Sequence, residues 1–223
     1  MTCIYLSRLV LNVDDPHARR ELADVYQLHR TVMSGFPPQL PAGERVLFRL
    51  DEDRAGRHTL LVQSRTAPDW GGLAAGYLLP GDPFDPLPNP AVKRVDLAFE
   101  AGRLFRFRLR ANPTRKQRRE NKAQGRRVAV AGEEAQRAWL GRKAEQGGFG
   151  IHDHDVVVSQ PGREFGRTGP DPHDDQRHQL EFHVIQFDGL LRVTDAQRFA
   201  ETLAAGIGPA KGFGCGLLSL APA

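Results

Sequence analysis

The sequence predicts an α+β chain built as two tandem ferredoxin-like (RRM-like) βαββαβ domains. Three observations carry that prediction: period-two apolar stretches that read as strands, helical stripes between them, and a second half that repeats the order of the first. A length of 223 residues suits two units of roughly 100 residues each.

Residues 3–12 (CIYLSRLVLN) read as a strand closed by Asp14-Asp15-Pro16, where Asp15 and Pro16 form an N-cap and N1 pair. A helix follows to about Met33, with Leu22, Val25, Leu28 and Val32 as its core stripe. Gly35 and Pro37-Pro38 stop it. Residues 45–50 and 58–64 read as strands joined by a turn at 53–56, and Ala67-Pro68-Asp69-Trp70 opens a short helical segment. Pro80, Pro83, Pro86, Pro88 and Pro90 make 78–90 an irregular linker, after which 93–100 closes the first half as a strand. In the second half, Leu104–Ala111 reads as a strand and Glu133–Gln146 as a helix with Ala135, Ala138, Trp139 and Leu140 inward. Strands over 149–159 and 180–193 flank a polar loop, 195–207 is a helix capped by Thr194 or Asp195, and 213–220 is the last strand. The domains are therefore expected at 1–90 and 91–223, an antiparallel sheet with two helices on one face in each.

The balance of 40% hydrophobic and 26% charged residues is that of a globular protein. No apolar run nears the roughly 20 residues that span a bilayer, so no membrane partner is expected. Met1-Thr2-Cys3-Ile4-Tyr5 enters a strand without the regions of a signal peptide, which predicts a cytoplasmic protein. Cys3 and Cys215 are expected as buried thiols, since two cysteines cannot build a zinc site alone. The net charge of +4 is unevenly spread. Residues 101–130 hold eleven Arg or Lys against one acid, Glu120, and carry +10, which leaves −6 on the other 193 residues. A basic segment on an otherwise acidic chain points to a localised polyanion site; a basic loop with no partner is the plain alternative.

Several stretches could carry chemistry. In 104–110, Phe105, Phe107 and Leu109 face the core, while Arg106, Arg108 and Arg110 line the other strand face about 7 Å apart, near one nucleotide step. Arg115, Lys116, Arg118 and Arg119 extend the positive field, so RNA contact is expected against the alternative of a solvated face. In 206–216, Gly206, Gly208, Gly212, Gly214 and Gly216 surround Lys211. That pattern fits neither GxGxxG nor GxxxxGK[ST], and it runs from helix to strand. A backbone clamp on phosphates is the expectation, and a helix C-cap with close strand packing the alternative. At the end of the first helix, Tyr26, His29 and Arg30 share a neighbourhood. Cutting RNA without a metal needs a base for the 2′-OH, an acid for the leaving 5′-oxygen and a cation for the phosphorane. His29 can move either proton, and Tyr26 or Arg30 can hydrogen-bond the charged oxygens; alone, such a His on the edge of an apolar stripe is more often structural. His152 and His154, followed by His173, Asp174, Asp175, His178 and His183, are a weaker candidate for a divalent metal. No GxSxG, HExxH or CxxC pair occurs.

Over essentially its full length the chain resembles the CRISPR-associated repeat-RNA endoribonucleases of type I-E systems, the CasE family. The resemblance rests on YLSRLVLN with DVYQLHRTVMSGFP (5–12 and 24–37), LFRFRLRANPTR (104–115) and GIGPAKGFGCGLLSLAP (206–222). It implies a metal-independent enzyme with no cofactor. Its substrate would be the stem-loop of a CRISPR repeat RNA, cut at the 3′ base of the stem to leave a 2′,3′-cyclic phosphate and a 5′-OH. The family's active-site His and Tyr map to His29 and Tyr26, the Lys211 loop would lie along the RNA, and other Cascade subunits are the implied partners. Two departures stand out. Residues 160–179 mix Arg163, Arg167 and Arg177 with Glu164, Asp171, Asp174 and Asp175, where relatives carry a basic hairpin. The helix end offers Arg30 and no Lys as the stabilising cation. A non-catalytic RNA-binding subunit of the same fold is the alternative reading.

Overall fold

Alternation along the first strand sets the architecture, because Leu9 packs with the helices of the first half while Ile4, on the opposite face, joins the core of the second half. A computed structural model describes residues 2–117, 126–167 and 179–223. It shows a mixed α+β fold with two four-stranded antiparallel sheets and a small two-stranded one. The first sheet contains β1 (Thr2–Val10), β2 (Leu47–Glu52), β3 (His58–Ser64) and β4 (Ala91–Leu97), in the order β2-β3-β1-β4. Leu9, Phe48, Leu60 and Val62 pack beneath Ala18, Leu28 and Val32 of the helices.

The single helix expected up to Met33 is two, α1 (Pro16–Leu22) and α2 (Val25–Ser34). Asp24 breaks it: its backbone is extended (φ −140°, ψ 98°), and its carboxylate accepts from the amides of Tyr26 (3.0 Å) and Gln27 (3.4 Å). No helix forms at 67–70 either. Trp70 instead plugs the space beside Gly35, edge-on to Phe36 at 5.8 Å, and its indole N–H donates to the Ser7 hydroxyl at 3.0 Å. The boundary expected at 90/91 would cut this sheet, since β4 pairs with β1 from Thr2↔Leu97 to Arg8↔Ala91.

The second sheet contains β5 (Leu104–Ala111), β8 (Phe149–Arg167), β9 (Gln179–Val193) and β10 (Leu218–Pro222), ordered β10-β5-β9-β8. Helices α3 (Glu133–Gln146) and α4 (Ala196–Ala205) cover it, with Trp139, Leu140, Phe199 and Leu203 against Phe107, Leu109 and Phe187. Strands β6 (Thr114–Gln117) and β7 (Arg126–Ala129) form a hairpin that charge-rich sequence did not announce. The polar loop expected over 160–179 is narrower, because β8 continues to Arg167. Residues 168–178, with His173, Asp174, Asp175 and His178, lie outside the described residues. The last strand begins at Leu218 rather than 213, after a 3₁₀ turn at Lys211–Phe213. Among the described residues no helix is long and apolar enough to cross a membrane.

The halves are joined directly. Ile4 of β1 belongs to the second core, and the buried Gln63 amide donates to the Leu203 carbonyl at 2.8 Å. Arg110 donates to the Leu50 carbonyl (2.8 Å), and Arg49 reaches back to the Arg108 carbonyl (3.4 Å).

Candidate nucleic-acid interface and active site

The junction between the halves is where His29 sits. Helix α2 carries it one turn beyond Tyr26, and the Asp24 cap fixes where that turn begins. Beneath it the Phe48 ring of β2 lies nearly parallel, at 6.4 Å and 23°. The 3₁₀ turn from the far end of the chain closes over it. Phe213 stands 5.7 Å away, and a Cβ on Gly212 would lie 3.4 Å from the imidazole Cε1. The ring is half-buried, and that desolvation holds its pKa below the ordinary His value. Among the described residues neither ring nitrogen has a hydrogen-bond partner, so neither is committed within the fold. Tyr26 packs against Gly166 of β8, whose added Cβ would lie 3.3 Å from the Tyr26 Cβ. Arg30 is exposed and donates to Gln27 at 3.3 Å.

Glycine is required along 206–216 for packing as well as for any ligand. Gly206 has φ +75°, and an added Cβ would strike Leu47 Cδ1 at 2.7 Å. Gly208 (φ +83°) lies against Trp139, where an added Cβ would stand 3.0 Å from its Cζ2. The Gly216 carbonyl accepts from the Ile207 amide at 2.9 Å, and its own amide donates to Arg110 at 2.7 Å. Gly214 (φ +76°) closes the 3₁₀ turn. Lys211 donates to the Ala205 carbonyl at 2.7 Å. Its pKa is held below the ordinary lysine value, first by burial and then by the nearby charges of Arg45 and Lys143. Neither of those two stood out in the sequence, because each is an ordinary surface charge until the fold gathers them.

Close by, Thr114, Lys116, Arg127, Trp139, Lys143, Gly208 and Pro209 line an open cleft of about 340 Å³. Lys116 lies directly opposite Arg127 across the β6–β7 hairpin, a like-charge pair that an anion would relieve. The glycine segment thus runs from this cleft at Gly208 to the imidazole at Gly212.

The arginine row is divided. Alternation holds, with Phe107 and Leu109 buried and Arg106 and Arg108 exposed. Arg108 pairs with Asp188 at 2.6 Å, and Arg110 is half-buried against Leu50. Arg115 is exposed on β6; Arg118 and Arg119 lie outside the described residues. His152 and His154 stack on each other at 5.9 Å, and among the described residues no group of three or more His, Cys, Asp or Glu is placed to hold a metal. The aromatic residues against His29, Phe48 and Phe213, and Phe182 behind Phe213, were missed, since Phe48 lies over 130 residues from the other two.

Comparison with known proteins gives a consistent result. The family model described as "CRISPR associated protein" matches residues 4–222. The chain is 37% identical to the CRISPR-associated endoribonuclease Cse3 of Thermus thermophilus, covering 98% of this chain and 100% of that protein. It is 31% identical to the CRISPR system Cascade subunit CasE of Escherichia coli K12, with the same coverage. Thermus thermophilus Cse3 bound to an RNA representing a pre-cleavage complex superimposes with a TM-score of 0.76 at 35% identity, over 98% of this chain and 99% of that one.

Proposed function

From the premise that the chain belongs to the CRISPR-associated protein family, we propose that it is an endoribonuclease cutting CRISPR precursor RNA at the 3′ base of the repeat stem-loop. The product stays bound, and the protein serves as a subunit of a Cascade complex. Each half is read as a ferredoxin-like unit, because both sheets run in that fold's strand order: the last strand of the half beside its first, then its third, then its second. The first unit ends after Leu97 and lacks a helix between β3 and β4 among the described residues.

His29 is the proton-transferring group. In the reaction the 2′-oxygen attacks the adjacent phosphorus, the P–O5′ bond breaks, and a 2′,3′-cyclic phosphate and a 5′-OH result. One proton leaves the 2′-OH and one joins the departing 5′-oxygen, and an imidazole near neutrality can perform either transfer. Tyr26, one turn away, and Arg30 hydrogen-bond the phosphorane oxygens. Lys211, with Arg45 and Lys143, adds positive potential behind the glycine segment. Lys116 and the other cations of the cleft hold the flanking backbone, as do Arg106, Arg115 and the exposed edge of Arg108. The observation that carries this reading is a half-buried imidazole whose nitrogens have no hydrogen-bond partner among the described residues, covered by a glycine turn that leads to a basic cleft.

A repeat stem-loop incubated with the protein in EDTA should yield the cyclic-phosphate product. The same RNA with a 2′-deoxy at the cleavage nucleotide should bind equally well and stay whole. A shifted but intact band for the all-ribose RNA would make the protein a binder alone, and cleavage that stops in EDTA would make it a metal-dependent nuclease.

A further inference from the structure

The imidazole on which the proposed chemistry depends is gripped by aromatic rings from both halves of the chain. Phe48 of β2 supports one side at 6.4 Å, and Phe213 of the 3₁₀ turn approaches at 5.7 Å and 50°. Phe213 does not stand alone: Phe182 of β9 stacks on it at 4.9 Å and 22°. The turn that presents Phe213 is bounded by two left-handed residues, Ala210 (φ 59°) and Gly214 (φ 76°), which leave its path little freedom. Two elements distant in sequence therefore meet on one ring, and a third backs one of them.

We propose that Phe213, backed by Phe182, is a positioning residue that fixes the His29 imidazole against Phe48 in the orientation cleavage requires. This rests on the reading that His29 transfers a proton in that reaction. A ring supported on one side only would rotate away from the scissile phosphate, and a misplacement of about 1 Å can cost about 100-fold in rate. Offset and tilted ring contacts at these separations are attractive and directional, so they hold orientation as well as volume. Because Phe182 belongs to β9, whose early residues pair with the far end of β8, placement of that hairpin is carried through Phe213 to the imidazole. The lowered His29 pKa fits the same enclosure, since desolvation is its cause. Among the described residues, the charged or titratable groups on the surrounding elements are Tyr26 and Arg30 on α2, Arg49, Asp51 and Glu52 on β2, Lys211 beside Phe213, and His183, Asp188 and Arg192 on β9.

The test is single-turnover cleavage of a repeat stem-loop at saturating protein across the pH range around the His value, with RNA affinity measured alongside. Phe213→Ala should slow cleavage by about 10–100-fold while the dissociation constant stays within about threefold. Its kinetic inflection should move up toward about 6.5 as water reaches the ring. Phe213→Leu, which restores apolar bulk, should recover much of the rate, and Phe182→Ala should shift both quantities in the same direction by less. A wild-type rate and inflection in Phe213→Ala, with His29→Ala inactive, overturns the proposal. So does a loss of affinity equal to the loss of rate, which would make Phe213 a base-stacking contact. Should Phe213→Ala fail to fold, an unchanged profile in Phe182→Ala overturns it equally. Normal cleavage by His29→Ala would instead sink the underlying assignment.

Discussion

Removing the Glu21 carboxylate should unfasten the helix that carries His29. Glu21 is 3% exposed, yet three groups converge on it. The Tyr77 hydroxyl donates at 2.6 Å, the Thr31 hydroxyl at 2.5 Å, and His17 Nε2 lies 3.0 Å away. Burial and the adjacent carboxylate push the Tyr77 pKa far above the ordinary phenol range, so Tyr77 keeps its proton and remains the donor. Through Thr31 the same carboxylate ties α1 to α2 two residues beyond His29. In Glu21→Ala the Tyr77 hydroxyl, on a residue 1% exposed, loses its acceptor, at a cost of about 1–3 kcal/mol. The Thr31 hydroxyl can turn to a backbone carbonyl one turn back and costs little. With the space left behind, the sum is about 2–4 kcal/mol. For a chain of this length each kcal/mol lowers Tm by about 2–4 °C, so the variant should melt about 5–15 °C lower. Tyr77→Phe alone should cost less, and the double variant should fall short of additivity by about 1–3 kcal/mol. Thermal melts followed by near-ultraviolet circular dichroism read all three. A Glu21→Ala protein melting within about 2 °C of the parent, or strict additivity with Tyr77→Phe, would refute the reasoning.

Three other outcomes follow from the same geometry. Gly206→Ala should destabilise by about 1–3 kcal/mol from its positive-φ extended backbone (φ 75°, ψ 162°) alone, and further through Leu47, as read by denaturant titration. Arg110→Ala should lower stability by about 1–2 kcal/mol through loss of its bond to Leu50, whereas Arg106→Ala should leave Tm unchanged and reduce the salt slope of RNA binding by about 1. The folded His29 pKa lies below its unfolded value, so between the two the unfolded chain holds more protons. Its contribution to stability is full above about pH 6.5 and is lost as pH falls toward the folded pKa. His29→Asn should therefore lose stability less steeply across that window in a pH series of melts.

What the sequence disclosed and withheld follows from the range of each interaction. The strand 104–111 was legible because alternation is a local property, and Phe107 and Leu109 are buried as the period requires. The break at Asp24 was hidden, because the apolar stripe Leu22, Val25, Leu28, Val32 runs straight through it. Trp70 looked like the start of a helix, and only the fold shows that Gly35 leaves room for its ring and Ser7 accepts its N–H. The arginine row was seen as a row, but the Leu50 carbonyl that engages Arg110 is 60 residues away, and the Asp188 that pairs with Arg108 is 80. Likewise His29 and the glycine segment were each singled out, while their contact through Gly212 and the rings around it required tertiary structure.

The most direct test replaces His29 with alanine and measures single-turnover cleavage and equilibrium binding on the same repeat RNA. If His29 moves a proton at the scissile phosphate, cutting should be abolished while affinity changes by less than about threefold, with Tm preserved. Cutting at the parental rate, or a loss of binding as large as the loss of cutting, would contradict that role.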